Sequence, residues 1–347
     1  MKYYTSFPIK YRPNTFEDII GQKNIIQSIK NYIKNKKLPH TILFYGQKGV
    51  GKTTLARILS KKINYKIHNY EFNILELDAA SYNSVENIRN IIDQAKYSPP
   101  FGYKIYIIDE VHMLSTSAFN AFLKILEEPP IHVYFILITT EKNKIPETIL
   151  SRCIIYKFKK ISIEEIQFFL KKISIKENIK YDEESLFMIA KNSYGSIRDA
   201  LYLFDKISSL SNGKIYKKIT MEEIGIIDEY YLYKLMNYII KKDIFKSFIL
   251  LDYILKKNVF DIENFINELS IYIKNMIFIK NPISYKFFLK KKKIKIKNLY
   301  KKQEKYVSLS YLQKALDICG NTILNLNINN NKRLILEITI NKLILLN

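Results

Sequence analysis

The segment Gly46-Gln47-Lys48-Gly49-Val50-Gly51-Lys52-Thr53 constrains this chain more than any other. It fits G-x-x-x-x-G-K-[ST], a P-loop. It lies between a short apolar run, Thr41 to Tyr45, and a stretch with Leu55, Ile58, Leu59 and Ile63 at helical spacing. In that strand-to-helix context the glycines let successive backbone N–H groups fold around a phosphate, and the helix N-terminus adds partial positive charge. Three of the 9 glycines fall between residues 46 and 51. Lys52 is expected to reach the β- and γ-phosphates of a bound nucleotide and Thr53 to ligate Mg²⁺. Gly46, Gly49, Val50, Gly51 and Thr54 complete the expected phosphate-binding set.

A second segment, Ile105-Tyr106-Ile107-Ile108-Asp109-Glu110, reads as a buried strand ending in two carboxylates, a Walker B pattern. Asp109 is expected to hold Mg²⁺ and Glu110 to orient and polarise an attacking water. His112, just beyond, reads as structural rather than catalytic. Strands are predicted at Thr41 to Tyr45, Phe72 to Leu77, Lys104 to Ile108, Val133 to Ile138 and Cys153 to Phe158. Helices alternate with them, one opened by Ser84 and another running from Thr116 to Glu128, where Pro129-Pro130 stops it. Such alternation predicts a parallel sheet covered on both faces.

Eight of the 9 prolines precede residue 150, and after residue 160 the apolar period becomes helical. Ser162-Ile163-Glu164-Glu165 has the form of a capping box. Tyr181-Asp182-Glu183-Glu184 and Gly195-Ser196 open two more helices. The expected organisation is an α/β domain over 1–160, a three-helix lid over 161–215 and an all-α collar over 219–347. Ile244, Phe248, Leu251 and Leu255 are expected to form one apolar helix face in the collar.

Composition narrows the class. The 347 residues are 48% hydrophobic and 26% charged, which excludes a mostly disordered chain. Two cysteines cannot build a disulfide framework or a Cys-rich zinc site. The N-terminus lacks the apolar core of a signal peptide, and no stretch approaches the ~20 apolar residues of a membrane helix. A cytoplasmic protein with no membrane association is expected. The formal net charge of +23 suits a nucleic-acid partner, but it is spread along an Ile-, Lys-, Asn- and Tyr-rich chain and fits compositional bias as well. The densest cluster, Lys290 to Lys293 with Lys295 and Lys297, reads either as a solvated face or as a phosphate-contacting patch.

Further segments complete a pattern: Tyr11-Arg12-Pro13, Ile20-Gly21-Gln22, Leu77-Asp78-Ala79-Ala80-Ser81, Glu127-Glu128-Pro129-Pro130, Thr139-Thr140, Ser151-Arg152-Cys153 and Gly195-Ser196-Ile197-Arg198-Asp199-Ala200. With the P-loop and the Asp-Glu strand, residues 7–207 resemble an AAA+ P-loop ATPase. More narrowly they resemble the gamma/tau family of DNA polymerase III, the motor of the sliding-clamp loader. The resemblance implies that Tyr11, Arg12, Pro13 and Ile20 line an adenine pocket. It implies that Thr140 is sensor 1 and Arg198 sensor 2, and that Arg152 is an arginine finger acting in trans on a neighbouring subunit. It implies ATP and Mg²⁺ as ligands. The implied partners are the sliding clamp, primer–template DNA, delta- and delta-prime-type subunits and further copies of this chain, within the cytoplasmic, nucleoid-associated replisome. Catalysis by the chain would be ATP hydrolysis; polymerase (nucleotidyltransferase) activity would belong to the holoenzyme. Asn83 and Ser84 are candidate DNA contacts.

There are two departures from the family pattern. The usual four-cysteine zinc module is missing from the segment between the P-loop helix and Leu77, so no zinc is expected. The chain reads as a short, gamma-like form without the long tau-type extension, which leaves the expectation of helicase and polymerase coupling open. Two other readings share part of the pattern. A Holliday-junction branch-migration motor should end in a winged-helix domain. A non-catalytic clamp-loader scaffold should not need Lys52, Thr53, Asp109 and Glu110 together.

Overall fold

The computed structural model describes residues 4–65, 70–257, 262–280, 294–326 and 331–346. The chain divides into two compact units, Met1–Lys214 and Ile215–Asn347.

The first unit holds a five-stranded parallel sheet: β1 (Thr41–Tyr45), β2 (Ile74–Asp78), β3 (Lys104–Asp109), β4 (Val133–Thr139) and β5 (Ile154–Lys157), in the order β2-β3-β4-β1-β5. The three inner strands are apolar at successive positions because both faces are covered. Alternation still sorts their side chains. Ile42, Phe44, Ile105, Ile107, Ile136 and Ile138 pack on one side with helices α2 (Lys23–Lys34) and α3 (Lys52–Ile63). Leu43, Tyr106, Ile108, Phe135 and Leu137 pack on the other with α4 (Val85–Lys96) and α5 (Thr116–Glu127). Each such side chain, fully buried, contributes about 1.5–3 kcal/mol of transfer free energy.

β2 starts later than the sequence suggests. Phe72 and Asn73 belong to a 3-10 turn, Tyr70–Asn73, and Phe72 is 86% exposed. The side-chain amide of Asn73 donates to the carbonyl of Phe101 at 2.8 Å, tying the turn to the loop before β3. β5 likewise loses Cys153 and Phe158 at its ends.

After β5 come α7 (Ile163–Lys176), α8 (Glu183–Asn192) and α9 (Ile197–Leu210). Ser162 caps α7 in a capping box, Asp182 accepts from the Ser185 amide at 2.6 Å, and Ser196 accepts from the Asp199 amide at 3.2 Å. These are the three starts that the sequence signals. A short N-terminal helix, α1 (Phe7–Lys10), lies against α9, with the Phe7 amide donating to buried Asp205 at 3.0 Å.

From 217 onward the regular elements among the second unit's described residues are all helices: Lys217–Ile224, Glu229–Ile240, Ile244–Lys257, Ile262–Lys280, Ile294–Glu304, Leu309–Leu326 and Lys332–Leu345. Leu235, Phe265, Leu269, Leu312, Leu336 and Leu343 are among the fully buried residues of its core. Inside that core Gln303 accepts from the Tyr272 hydroxyl at 2.6 Å and donates to Asn237 at 2.8 Å, so a buried amide is satisfied on both sides. The expected face on Ile244–Lys257 is partly corrected. Leu251 and Ile254 are buried and Phe248 and Leu255 half-buried, whereas Ile244 is exposed because it opens the helix, beyond the packed turns. The Lys290 to Lys293 run lies outside the described residues.

Candidate nucleotide-binding site

The carboxyl ends of parallel strands are where α/β sheets bind ligands. Here β1 runs into the P-loop, β3 into Asp109-Glu110 and β4 into Thr139-Thr140, with β4 lying between the other two. A cavity of about 1010 Å³ opens at this edge. Its lining includes Tyr11, Arg12, Pro13 and Ile20 from the N-terminal segment, Gly49 to Thr54 from the loop, Asp109 and Glu110, and Arg198 from α9. Gly46, Thr140 and Arg152 do not line it.

Gly51 caps α3 in a left-handed conformation, φ +101°, which turns the loop directly into the helix. Lys52 is 6% exposed, and its Nζ donates to the carbonyl oxygens of Gly46 at 2.7 Å and Gln47 at 2.9 Å. Burial lowers its pKa, while Glu110 and Asp109 act in the opposite direction. Gly46 thus serves the site from behind the loop, as a carbonyl partner of the lysine.

Thr53 Oγ1 donates to Asp109 Oδ2 at 2.7 Å, so a hydroxyl and a carboxylate are already convergent. Hard oxygen donors beside a phosphate-binding loop fit Mg²⁺. Glu110 has φ +49°, a costly conformation for a long side chain, and its amide donates to Asp109 Oδ1 at 2.9 Å. Its carboxylate accepts from the Thr140 hydroxyl at 3.2 Å. Thr140 therefore reaches the cavity through Glu110. His112 is enclosed at the same place. Its Nδ1 lies 3.0 Å from Thr139 Oγ1 and 3.4 Å from Glu110, and its Nε2 lies 3.4 Å from Glu141.

The cavity lining mixes the cations Arg12, Lys48, Lys52 and Arg198 with the carboxylates Glu76, Asp78, Asp109, Glu110 and Asp199. Arg57 makes a two-point contact with Glu76, Nε to Oε2 at 2.7 Å and Nη2 to Oε1 at 2.6 Å. Burial, Arg57 and Arg198 lower the pKa of Arg12, and only Glu76 opposes them. Guanidinium groups gathered this closely can offer phosphate several N–H donors. The sequence reading missed Arg57 and Glu76. A charge within the otherwise apolar run Ile74-Leu75-Glu76-Leu77 was the one available signal. It also missed Glu177, which accepts from the Tyr11 hydroxyl and from Lys10 Nζ at 2.8 Å and so ties the N-terminal segment to the end of α7.

The start of α9 and the turn before it sit directly on the glycine-rich loop. The Ile197 amide donates to the Gly49 carbonyl at 3.0 Å, and Gln47 Nε2 donates to the Tyr194 carbonyl at 3.3 Å. A Cβ on Gly49 would stand 2.0 Å from Ser196 Oγ and 3.3 Å from Arg198 Cβ, at a φ of +77°. Gly49→Ala is therefore expected to push α9 off the loop. The strain, about 1–3 kcal/mol, should lower the melting temperature by about 3–8 °C and weaken nucleotide binding. Thermal melting with and without nucleotide checks this, and an unchanged melting point would mean that the contact contributes nothing.

Arg152 lies away from the cavity of its own chain. Its Nη2 donates to Glu127 Oε1 at 2.6 Å and its Nη1 to the Thr148 carbonyl at 2.5 Å. On either side of it, Ser151 Oγ donates to the Thr148 carbonyl at 3.0 Å, and Cys153 Sγ lies 3.1 Å from the Ile149 carbonyl. Burial pushes the Cys153 thiol up to about 12, so this cysteine is a packed anchor rather than a nucleophile. Among the described residues no group of three or more His, Cys, Asp or Glu could hold a metal ion. No described helix is long and apolar enough to cross a membrane.

A family model described as DNA polymerase III, delta subunit matches residues 21–73 and 63–162. Another, described as DNA polymerase III clamp loader subunit, ATPase lid domain, matches residues 165–213. The chain is 43% identical over 259 residues to DNA polymerase III subunit gamma of Buchnera aphidicola subsp. Acyrthosiphon pisum, covering 70% of this chain and 72% of that relative. It is 38% identical over 323 residues to the subunit gamma of Buchnera aphidicola subsp. Schizaphis graminum, covering 87% and 89%. Against DNA polymerase III subunit tau of Bacillus subtilis it is 34% identical over 351 residues, 96% of this chain and 62% of that one. Among solved structures, the Thermotoga maritima RuvB Holliday junction branch migration motor superposes with a TM-score of 0.51 at 21% identity, over 66% of this chain and 79% of that one. Likeness at that identity concerns the fold alone.

Proposed function

Because the chain belongs to the gamma/tau family of DNA polymerase III, clamp-loader ATPases of the AAA+ class, we propose that its cavity binds and hydrolyses ATP with the residues described above. The protein is an ATPase subunit of the clamp loader, in which ATP binding and hydrolysis drive the opening of the sliding clamp and its loading onto primed DNA. The family uses ATP with Mg²⁺ and works in a complex with other subunits, the clamp and DNA.

The observation that carries the residue assignment is the convergence of the loop, the Thr53–Asp109 pair and Glu110 on one cavity. Lys52 would exchange the Gly46 and Gln47 carbonyls for β- and γ-phosphate oxygens. Thr53 and Asp109 would hold Mg²⁺, which supplies charge neutralisation on the phosphates when bound. Glu110 would orient the attacking water, and its bond to Thr140 ties that orientation to the end of β4, the sensor-1 position. Tyr11, Arg12, Pro13 and Ile20 would close around adenine. Arg198 would contact phosphate in cis. Arg152 would serve a neighbouring subunit, which its place outside its own cavity supports. The other partners are proposed as delta- and delta-prime-type subunits and further copies of this chain, in the cytoplasmic, nucleoid-associated replisome. No zinc is assigned. A branch-migration role is disfavoured, since the described residues from 219 onward contain no strand from which a wing could be built.

The test is steady-state ATP hydrolysis by the complex assembled with its sister subunits. Clamp and a primer–template junction together should raise turnover by about 10-fold or more, as expected if they align catalytic groups already close to position. Turnover indifferent to both would reject clamp loading as the coupled process.

A further inference from the structure

The Glu127-Glu128-Pro129-Pro130 segment is among the most distinctive in the sequence, yet neither glutamate lines the nucleotide cavity. α5 ends at Glu127. Pro129 and Pro130 forbid another turn, because proline lacks the N–H and clashes with the turn before it. The helix end is thus fixed, and Glu127 with it.

From that end Glu127 Oε1 meets Arg152 Nη2 at 2.6 Å. Nη1 of the same guanidinium meets the Thr148 carbonyl at 2.5 Å and Ser151 Oγ at 3.3 Å. Thr148 belongs to α6 (Glu147–Leu150), which packs on α5, and Ile125, Leu126, Ile149 and Leu150 are buried in one apolar cluster. The arginine thus rests on a rigid two-helix surface with its side chain still 32% exposed. A guanidinium has five N–H donors. Three are used by Glu127, Thr148 and Ser151. Two remain, the number that a bidentate phosphate contact takes.

We infer that Glu127 is the positioning residue of Arg152, holding the guanidinium against the α5–α6 surface so that its remaining donors are presented to a neighbouring subunit's ATP site. The inference rests on the reading of Arg152 as a finger acting in trans. An exposed ion pair adds little to fold stability. Its effect lies in orientation: an arginine without it ranges over many rotamers, and a misplacement of about 1 Å costs up to ~10²-fold in rate.

The experiment measures ATP hydrolysis by the assembled complex with clamp and primed DNA, as a function of ATP concentration. Glu127→Ala should lower the DNA-stimulated kcat about 10-fold with the KM for ATP unchanged. Glu127→Gln, which keeps an acceptor, should recover part of that loss. Glu127→Ala should have no further effect when added to Arg152→Ala. Both single variants should melt within about 2 °C of the parent, as expected for half-exposed sites. A full rate in Glu127→Ala, a change in KM alone, or equal losses with and without Arg152 would overturn the role of Glu127. So would increased hydrolysis without DNA, because it would make Glu127 a restraint on the finger. A full rate in Arg152→Ala would instead overturn the finger reading itself, and the role of Glu127 would fall with it.

Discussion

Lys52→Ala should lower ATP hydrolysis by the assembled complex by at least about 10²–10³-fold and stop clamp loading with it. The side chain is buried, and its ammonium is held by the Gly46 and Gln47 carbonyls at the back of the loop. Alanine removes the cation proposed to meet the phosphates and also leaves those two carbonyls without it, a cost of about 1–3 kcal/mol where water cannot replace the donor. Two effects are therefore expected together: loss of ATP binding, read by titration with a fluorescent ATP analogue, and a modest fall in melting temperature. Clamp loading that survives Lys52→Ala would make this chain a scaffold in which the loop is vestigial. A fall in melting temperature with hydrolysis intact would confine Lys52 to holding the loop in shape.

Arg152→Ala should do something different. ATP binding should be preserved, because the residue lies outside its own chain's cavity, while DNA-stimulated hydrolysis should fall by ~10³-fold or more, the range of arginine fingers. The decisive form of the test is mixing. Complexes assembled from Arg152→Ala and Lys52→Ala subunits contain some interfaces that pair an intact loop on one side with an intact arginine on the other. If Arg152 acts across the interface, the mixture regains stimulated turnover that neither variant shows alone. Mixed complexes no faster than either parent would return Arg152 to a structural role beside Ser151 and Cys153.

The parts of this site that the sequence reveals are those in which chemistry and spacing occur together along the chain. The loop, the Asp109-Glu110 pair and the caps at Ser162, Asp182 and Ser196 are local, and each needs only its neighbours to be read. The missed features depend on pairs far apart in sequence. Glu76 and Arg57 are 19 residues apart and meet only because the fold brings β2 beside α3. Glu177 reaches Tyr11 across 166 residues. The bond from Thr140 to Glu110 exists because β4 runs beside β3, a strand order that periodicity does not determine. Phe72 differs for another reason: an aromatic residue before an apolar run has strand propensity, whereas here it lies in a 3-10 turn that Asn73 ties to the Phe101 carbonyl.

The backbone bond from Ile197 to Gly49 has a mechanical consequence. It joins the phosphate loop to the first residue of α9, a helix of 14 residues and so about 21 Å long. Together with α1, α7 and α8, which pack on it, a helix of that length would act as a lever pivoted at the loop. A tilt of about 5° at its first turn displaces its last turn by about 2 Å, with no hydrogen bond of the helix broken. Gly49, with no side chain to collide with Ser196, is the bearing of that pivot. A sub-ångström adjustment of the loop would then be amplified at Leu210, where α9 ends.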